Sequence, residues 1–373
     1  TRDVHTPYSG MLPGYVAGHY PLDDCHIDLR PLVQLAGARI YHDSAIRIDT
    51  DAKRVICENR PPVPYDLVSI DIGSAPSIDD VPGAAEFAVP VKPIGRFVKT
   101  WHDLAEKIIA RDGNLRIALV GAGAGGTELT LSIQHRLHAM LAEKNMQPDR
   151  FEFHLISGSD TVMPQENRAT QIKFTRILQE RGVKLHVGAK VTKVEQGRLH
   201  CADGNVIEAD EIFWVTNAGS QGWPGASGLD VDEDGFIRVD DCLRSLSHPD
   251  VFAAGDAANV VNHPRPKAGV FAVRQGPPLA ANLRRVLLNR PPRKFKPQSK
   301  FLKLISTGDK YAVAARGGLA LEGAWVWALK DWIDLRWMKK YIDLPEMEED
   351  EEVKIARGLA SPDALKAISA IAM

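Results

Sequence analysis

Three glycines carry the clearest chemical signal in the chain: Gly121, Gly123 and Gly126, spaced G-x-G-x-x-G. The first allows a sharp turn, the second lets backbone approach a pyrophosphate, and the third lets a helix pack closely on its strand. A helix beginning there offers free N–H groups and a positive dipole end to phosphate oxygens. Glu128 follows in the first helical turn, where an acid is favoured by that positive end. A second carboxylate, Asp256, comes immediately after Gly255 at the close of the apolar run Val-Phe-Ala-Ala. It reads as a ligand for a bound cofactor or, more plainly, as a turn cap.

A glycine pattern alone is weak, and its flanks decide its meaning. Residues 117–120 are an uninterrupted apolar run that stops at Gly121, and Leu129, Leu131, Ile133 and Leu137 then recur within a helical segment. Strand, tight turn and helix are the order a dinucleotide site needs. That helix should run to about residue 143. Further strands are expected at 65–74, 151–156, 183–187 and 211–219, with helices at 97–110 and 166–181. Residues 191–195 and 198–201 should form a hairpin through Gln196-Gly197. Alternating strands and helices with short Gly-bearing connections predict an α/β fold with parallel sheets. Upstream, 25–35 reads as a short helix, and 38–48 and 54–57 as strands. Pro93 marks a linker at 91–94. Residues 268–288 read as a helix that Pro277-Pro278 must kink or restart.

Composition narrows the class. At 373 residues the chain suits two or three domains. A formal net charge of -2 gives no support for a nucleic-acid partner. Cys25, Cys57, Cys201 and Cys242 lie far apart with no C-x-x-C pair, which argues against a zinc site or a stapled secreted fold. The histidines show no ligand spacing, so no metal is expected. No stretch is apolar enough for a bilayer span and no signal peptide opens the chain, so the expectation is a soluble, cytoplasmic protein.

Taken together these stretches resemble the pyridine nucleotide-disulfide oxidoreductase superfamily, in which an NAD(P)H domain is inserted into a split FAD domain. Gly121-x-Gly123-x-x-Gly126 with Glu128 looks like its nicotinamide-nucleotide motif. Ile72-Gly73-Ser74 is similar to the first domain crossover, with Ile in place of the usual Thr, and Thr216-Asn217-Ala218-Gly219 to the second. Residues 251–256, ending in Gly255-Asp256, resemble its second FAD motif. Pro7-Tyr8-Ser9-Gly10-Met11-Leu12-Pro13-Gly14, residues 25–30, Lys267-Ala268-Gly269-Val270 and residues 273–276 narrow the likeness to the type II NADH dehydrogenase-like branch, the kind found fused to selenide, water dikinase. The dikinase module is absent from the sequence.

The resemblance implies two Rossmann-like dinucleotide-binding domains plus a C-terminal helical or α+β region. The FAD domain is expected over 1–92 and 221–300, the NAD(P)H domain over 93–220, and a C-terminal interface region over 301–373. The implied activity is hydride transfer from NAD(P)H to FAD, with electrons passed to a small-molecule acceptor such as a quinone. The resemblance favours NADH slightly over NADPH, although no acid stands at Ser157 or Gly158, where one would hold the ribose; Asp160 lies two residues on. Implied FAD contacts are Gly73, Ser74, Gly219, Gly255 and Asp256, with Lys267, Gly269 and Val270 near the flavin's pyrimidine edge and residues 8–13 lining its ring. Glu128 is implied near the nicotinamide, which stands level with its plainer reading as a helix-end acid. Cys25 reads better as a buried structural thiol than as a redox group.

Two features complicate this. Nothing like the family's opening strand, Gly-rich turn and helix precedes Thr1, so a βαβ unit of about 30 residues is expected to be missing. A non-catalytic accessory module is therefore one alternative, and a sulfide:quinone or ferredoxin reductase-like enzyme another. The other feature is a C-terminal cluster of Trp325, Trp327, Trp332 and Trp337 with Lys330, Arg336, Lys339 and Lys340. It suits a peripheral membrane contact, on the inner face of the membrane, or packing on the flavin domain or in a homodimer. Asp331, Asp334 and Asp343 tilt the reading toward packing. Residues 346–352 are expected to be a solvated acidic segment.

Overall fold

A five-stranded parallel sheet holds the glycine turn. The computed structural model describes residues 1–345 apart from 77, 79, 217, 299 and 300, so Asn217 and the acidic 346–352 stretch lie outside the described residues. In chain order the sheet unit comprises β1 (Val89–Pro90), α1 (Ile94–Ala110), β2 (Leu115–Val120), α2 (Ala124–Glu143), β3 (Phe151–Ile156), α3 (Arg168–Glu180), β4 (Lys184–His186) and β5 (Glu211–Trp214). In space the strands run β4-β3-β2-β5-β1. The chain crosses from β2 to β3 on one side and returns to β5 on the other. The carboxyl end of β2 is therefore a topological switch point, where ligands of open α/β sheets bind.

Alternation along β2 explains why it is central. Ile117 and Leu119 pack with Leu129, Ile133 and Leu137 of α2 and with Phe97, Trp101 and Ile108 of α1. Ala118 and Val120 face the opposite side, with Ile156, Ile212 and Trp214. Burying each such large aliphatic side chain contributes about 1.5–3 kcal/mol. A three-stranded antiparallel ribbon of Val191–Glu195, Arg198–Cys201 and Val206–Glu208 covers that second face.

A separate parallel pair, Val68–Ile70 with Val251–Ala253, presents Gly255-Asp256 at its carboxyl end. Helix α4 (Gly269–Leu287) packs Leu279 against it. The C-terminal region is a three-stranded antiparallel sheet of Lys303–Thr307, Asp309–Arg316 and Leu319–Gly323 followed by α5 (Ala324–Ile342). Val326 and Trp327 of α5 pack on Ala312 and Ala314 of that sheet.

Five local expectations need correction. The strand expected at 65–74 is only Val68–Ile70, because its partner strand Val251–Ala253 is three residues long. Residues 25–35 are not one helix: His26–Asp28 pairs with His5–Pro7, and helix begins only at Leu29. Asp28 is the reason, because its carboxylate caps the helix by accepting the Arg30 N–H. The strand expected at 38–48 starts at Ala45, since Asp43 just before it binds the backbone N–H groups of Ser44 and Asn59 as a turn residue. Helix α4 runs through Pro277 and Pro278 without restarting. Val273 and Arg274, whose carbonyls lose their partners, are exposed and can use water. The strand expected at 211–219 stops at Trp214, and Ala218–Gly219 pairs instead with Ala75–Pro76. The two crossovers are thus bonded to each other.

Candidate dinucleotide and flavin site

The glycine turn has the geometry its spacing implies. Gly121 sits at φ +116°, and a Cβ there would lie 2.8 Å from the Val215 carbonyl. A Cβ on Gly126 would stand 1.8 Å from the Gly121 carbonyl oxygen, so only glycine lets α2 start this close to its strand. Gly123 caps α2 without a side-chain cap, and no atom lies within 4 Å of where its Cβ would be. The first N–H groups of α2 therefore open toward free space. Beside this turn, the Thr216 hydroxyl is enclosed and without a hydrogen-bond partner.

Across the paired crossovers lies a cluster of polar groups. Ser74 donates its hydroxyl to Asp256 Oδ2 at 3.3 Å, and Lys92 Nζ lies 3.4 Å from Ser74 Oγ. Burial lowers the Lys92 pKa, with Asp256 opposing the shift. Asp71 packs against Gly255, and desolvation together with the Asp256 charge pushes its carboxyl up to about 6. Gly255 donates its N–H to Gln275 Oε1 at 2.7 Å. Gly255, Asp256, Lys267, Ala268 and Arg265 line one cleft. Arg265 Nε is enclosed there without a hydrogen-bond partner. Gly269 and Val270 begin α4 at its edge, with Ser9 Oγ 3.5 Å from where a Gly269 Cβ would be. Ser9, in the turn that leads into a helix at Leu12–Ala17 where the sequence suggested continuous loop, therefore adjoins the start of α4. Lys267 borders the cleft, but its amine donates to the Ala258 carbonyl at 2.8 Å and lies 3.6 Å from the Phe236 ring centre.

Glu128 has partners that its sequence neighbourhood does not reveal. Its carboxylate accepts the Ser306 N–H at 2.7 Å. Burial raises its pKa, while Lys330 and the Ser306 hydrogen bond oppose that shift. Lys330 binds Asp334 at 2.6 Å and the Gly10 carbonyl at 2.6 Å, and Tyr8 donates to Asp334 at 3.2 Å. Asp334 is buried, which raises its pKa against the pull of Lys330. So Asp334 is no solvent-facing charge on an amphipathic helix. Tyr20 donates to Asp331 at 2.5 Å, tying the same helix to the N-terminal segment. Cys25 is buried beside Met11 and Met338, and desolvation pushes its thiol up to about 12, so it is held as a neutral thiol.

With this geometry in place, a family model for pyridine nucleotide-disulphide oxidoreductases matches residues 4–276. The chain belongs to the pyridine nucleotide-disulphide oxidoreductase family. The chain is 27% identical over 200 residues to the NADH dehydrogenase-like protein YutJ of Bacillus subtilis, covering 54% of this chain and 51% of that protein. It is 23% identical over 267 residues to the type II NADH:quinone oxidoreductase of Haemophilus influenzae, covering 64% and 60%. The chain thus spans about half to three fifths of those relatives. Its fold is similar to that of the sulfide:quinone oxidoreductase of Aquifex aeolicus, with a TM-score of 0.76 at 16% identity, covering 95% of this chain and 87% of the other. Ala75–Pro76 and Ala218–Gly219 join the two parallel-sheet units, and the C-terminal sheet packs on α2 with Ser306 bonded to Glu128. Sequence reasoning missed Asp71, Lys92, Ser306 and the roles of Lys330 and Asp334. Asp71 carried a faint signal, as an acid between Ile70 and Ile72 just after the strand Val68–Ile70.

Proposed function

We propose that this chain is the dinucleotide- and flavin-binding part of an oxidoreductase that passes a hydride from NAD(P)H to FAD and electrons on to a small-molecule acceptor, of the quinone type. The observation that best supports this is the bonding of the two crossovers, which sets the Gly121 turn and the Asp256 cleft on either side of one junction. On this reading 1–92 and 221–300 form the FAD unit, 93–220 the NAD(P)H unit and 301–373 the C-terminal interface.

The residues present fit both ligands. The enclosed, unpartnered Arg265 Nε and Thr216 hydroxyl are donors in want of acceptors, and a phosphate-bearing ligand supplies them. When bound, the flavin supplies the ring that takes up the hydride and relays electrons. The chain's own residues bind and orient. Gly121, Gly123 and Gly126 with the α2 N-terminus hold the NAD(P)H pyrophosphate. Gly73, Ser74, Gly219, Gly255 and Asp256 hold FAD, and Gly269 and Val270 aim the positive end of α4 at the flavin edge. Glu128 anchors the C-terminal sheet to α2 by accepting the Ser306 N–H. Trp325, Trp332 and Ile342 are exposed beside Arg336, Lys339 and Lys340, and we assign this outer face of α5 to a membrane interface. Among the described residues no helix is long and apolar enough to cross a membrane.

The test is direct. Protein reconstituted with FAD should be yellow, bleach on anaerobic addition of NADH or NADPH, and recolour with a soluble quinone. Protein that holds FAD yet never bleaches would remove the reading.

A further inference from the structure

The adenosine end of the dinucleotide site has an unusual lining. In such folds the ribose lies over the carboxyl end of the strand beside the glycine strand, here β3, where an acid grips the 2′-hydroxyl of NAD and a basic residue receives the 2′-phosphate of NADP. β3 ends at Ile156 and is followed by Ser157 and Gly158. Ser157 is buried, and its hydroxyl is fully used: it donates to the Thr161 carbonyl at 2.9 Å and accepts the Ser159 N–H at 3.2 Å. It cannot turn outward to a ribose without breaking both bonds.

Gly158 is exposed and offers no side chain. The side chain running along it belongs to Lys190, in the connection after β4: its Cβ lies 3.7 Å and its Cγ 3.9 Å from where a Gly158 Cβ would be. Lys190 is exposed, and among the described residues it makes no ion pair. Asp160, two residues after Gly158, has its carboxylate beside Gly188, with Oδ1 3.6 Å from a Cβ there. The residues directly after β3 therefore carry no acid, and the stem of an exposed lysine runs along Gly158. Neither Ser157, whose hydroxyl is turned inward, nor Gly158, which has no side chain, places a negative charge there.

Resting on the dinucleotide reading above, we propose that the adenosine ribose site accepts a 2′-phosphate and that Lys190 is the residue that pairs with it, so that NADPH is a nucleotide of this chain. A compact ammonium suits this role as a point charge for phosphate. The pairing is exposed, so it should weaken with ionic strength.

Calorimetry on the full chain with adenosine 2′,5′-bisphosphate and 5′-AMP isolates this site from any redox step. The bisphosphate should bind about tenfold or more tightly, the scale of one charge-assisted contact. Lys190→Ala should bring the two ligands together by weakening the bisphosphate alone. Gly158→Asp has ordinary space for its Cβ and should reverse the preference. The proposal is overturned if 5′-AMP binds as well as the bisphosphate, if Lys190→Ala weakens both equally, or if Asp160→Asn rather than Lys190→Ala governs the choice. Binding of neither ligand would instead bring down the dinucleotide reading itself, and this proposal with it.

Discussion

The three glycines of the turn should fail in different ways when each is given a methyl group. At Gly126 the new Cβ would stand 1.8 Å from the Gly121 carbonyl oxygen, about 1.5 Å inside the closest comfortable carbon-to-oxygen approach. Both partners are backbone, so neither can swing aside, and the strand or α2 must shift. Overpacking of this kind costs about 1–3 kcal/mol. For a unit of this size that is a fall in Tm of roughly 2–12 °C. At Gly123 nothing lies within 4 Å and φ is -70°, so alanine fits without strain. Gly123→Ala should melt close to wild type yet weaken the nucleotide about tenfold or more, because the methyl stands where pyrophosphate must approach. Gly125→Ala, also open, is the control for helix propensity. Scanning calorimetry and titration with NADH and NADPH read the two effects separately. Native-like nucleotide binding by Gly123→Ala would refute the assignment of the turn, and native-like melting of Gly126→Ala would refute the packing argument.

Other consequences can be checked alongside. Asp71 ionises near pH 6 in the fold against 3.8 as a free side chain, so between about pH 4 and 6 the folded chain holds the extra proton. Stability should therefore fall as pH rises through that window, and Asp71→Asn should remove that part of the slope in denaturant titrations; an unchanged slope would discount the Asp71–Asp256 pairing. Lys330→Met leaves Asp334 buried beside Glu128 with its cation gone and should cost about 3 kcal/mol, most of it regained by adding Asp334→Leu. Equal melting of the single and double variants would contradict this. Glu128→Gln keeps an acceptor for the Ser306 N–H and should melt near wild type, whereas Glu128→Ala should not. Asp256→Ala should lower the flavin retained after desalting while secondary structure by circular dichroism stays intact.

Much of the nucleotide unit was legible because its signals are local. The strand Phe151–Ile156 and the helix ending at Glu143 coincide with the expected residues, since apolar alternation, helical period and a glycine or polar stop lie within a few residues of each other. The hairpin through Gln196-Gly197 is legible for the same reason. Errors arose where a side chain acts on its own backbone, as Asp28 and Asp43 do, or where solvent spares a helix the cost of two prolines.

By itself, then, the sequence determined the glycine turn, the strand delivering Asp256, the α/β class and the family. These rest on residue types and spacings that no distant neighbour can alter. Only the tertiary structure decided that Glu128 meets Ser306, Lys330 and Asp334, that Asp71 faces Gly255, that Lys190 flanks Gly158, and that one crossover bonds to the other. Most of those partners lie more than a hundred residues apart, and Lys190 reaches Gly158 only because β4 lies beside β3. Local propensity says nothing about such pairs; the order of strands in the sheet, and the burial that closes the C-terminal sheet over α2, brings them together.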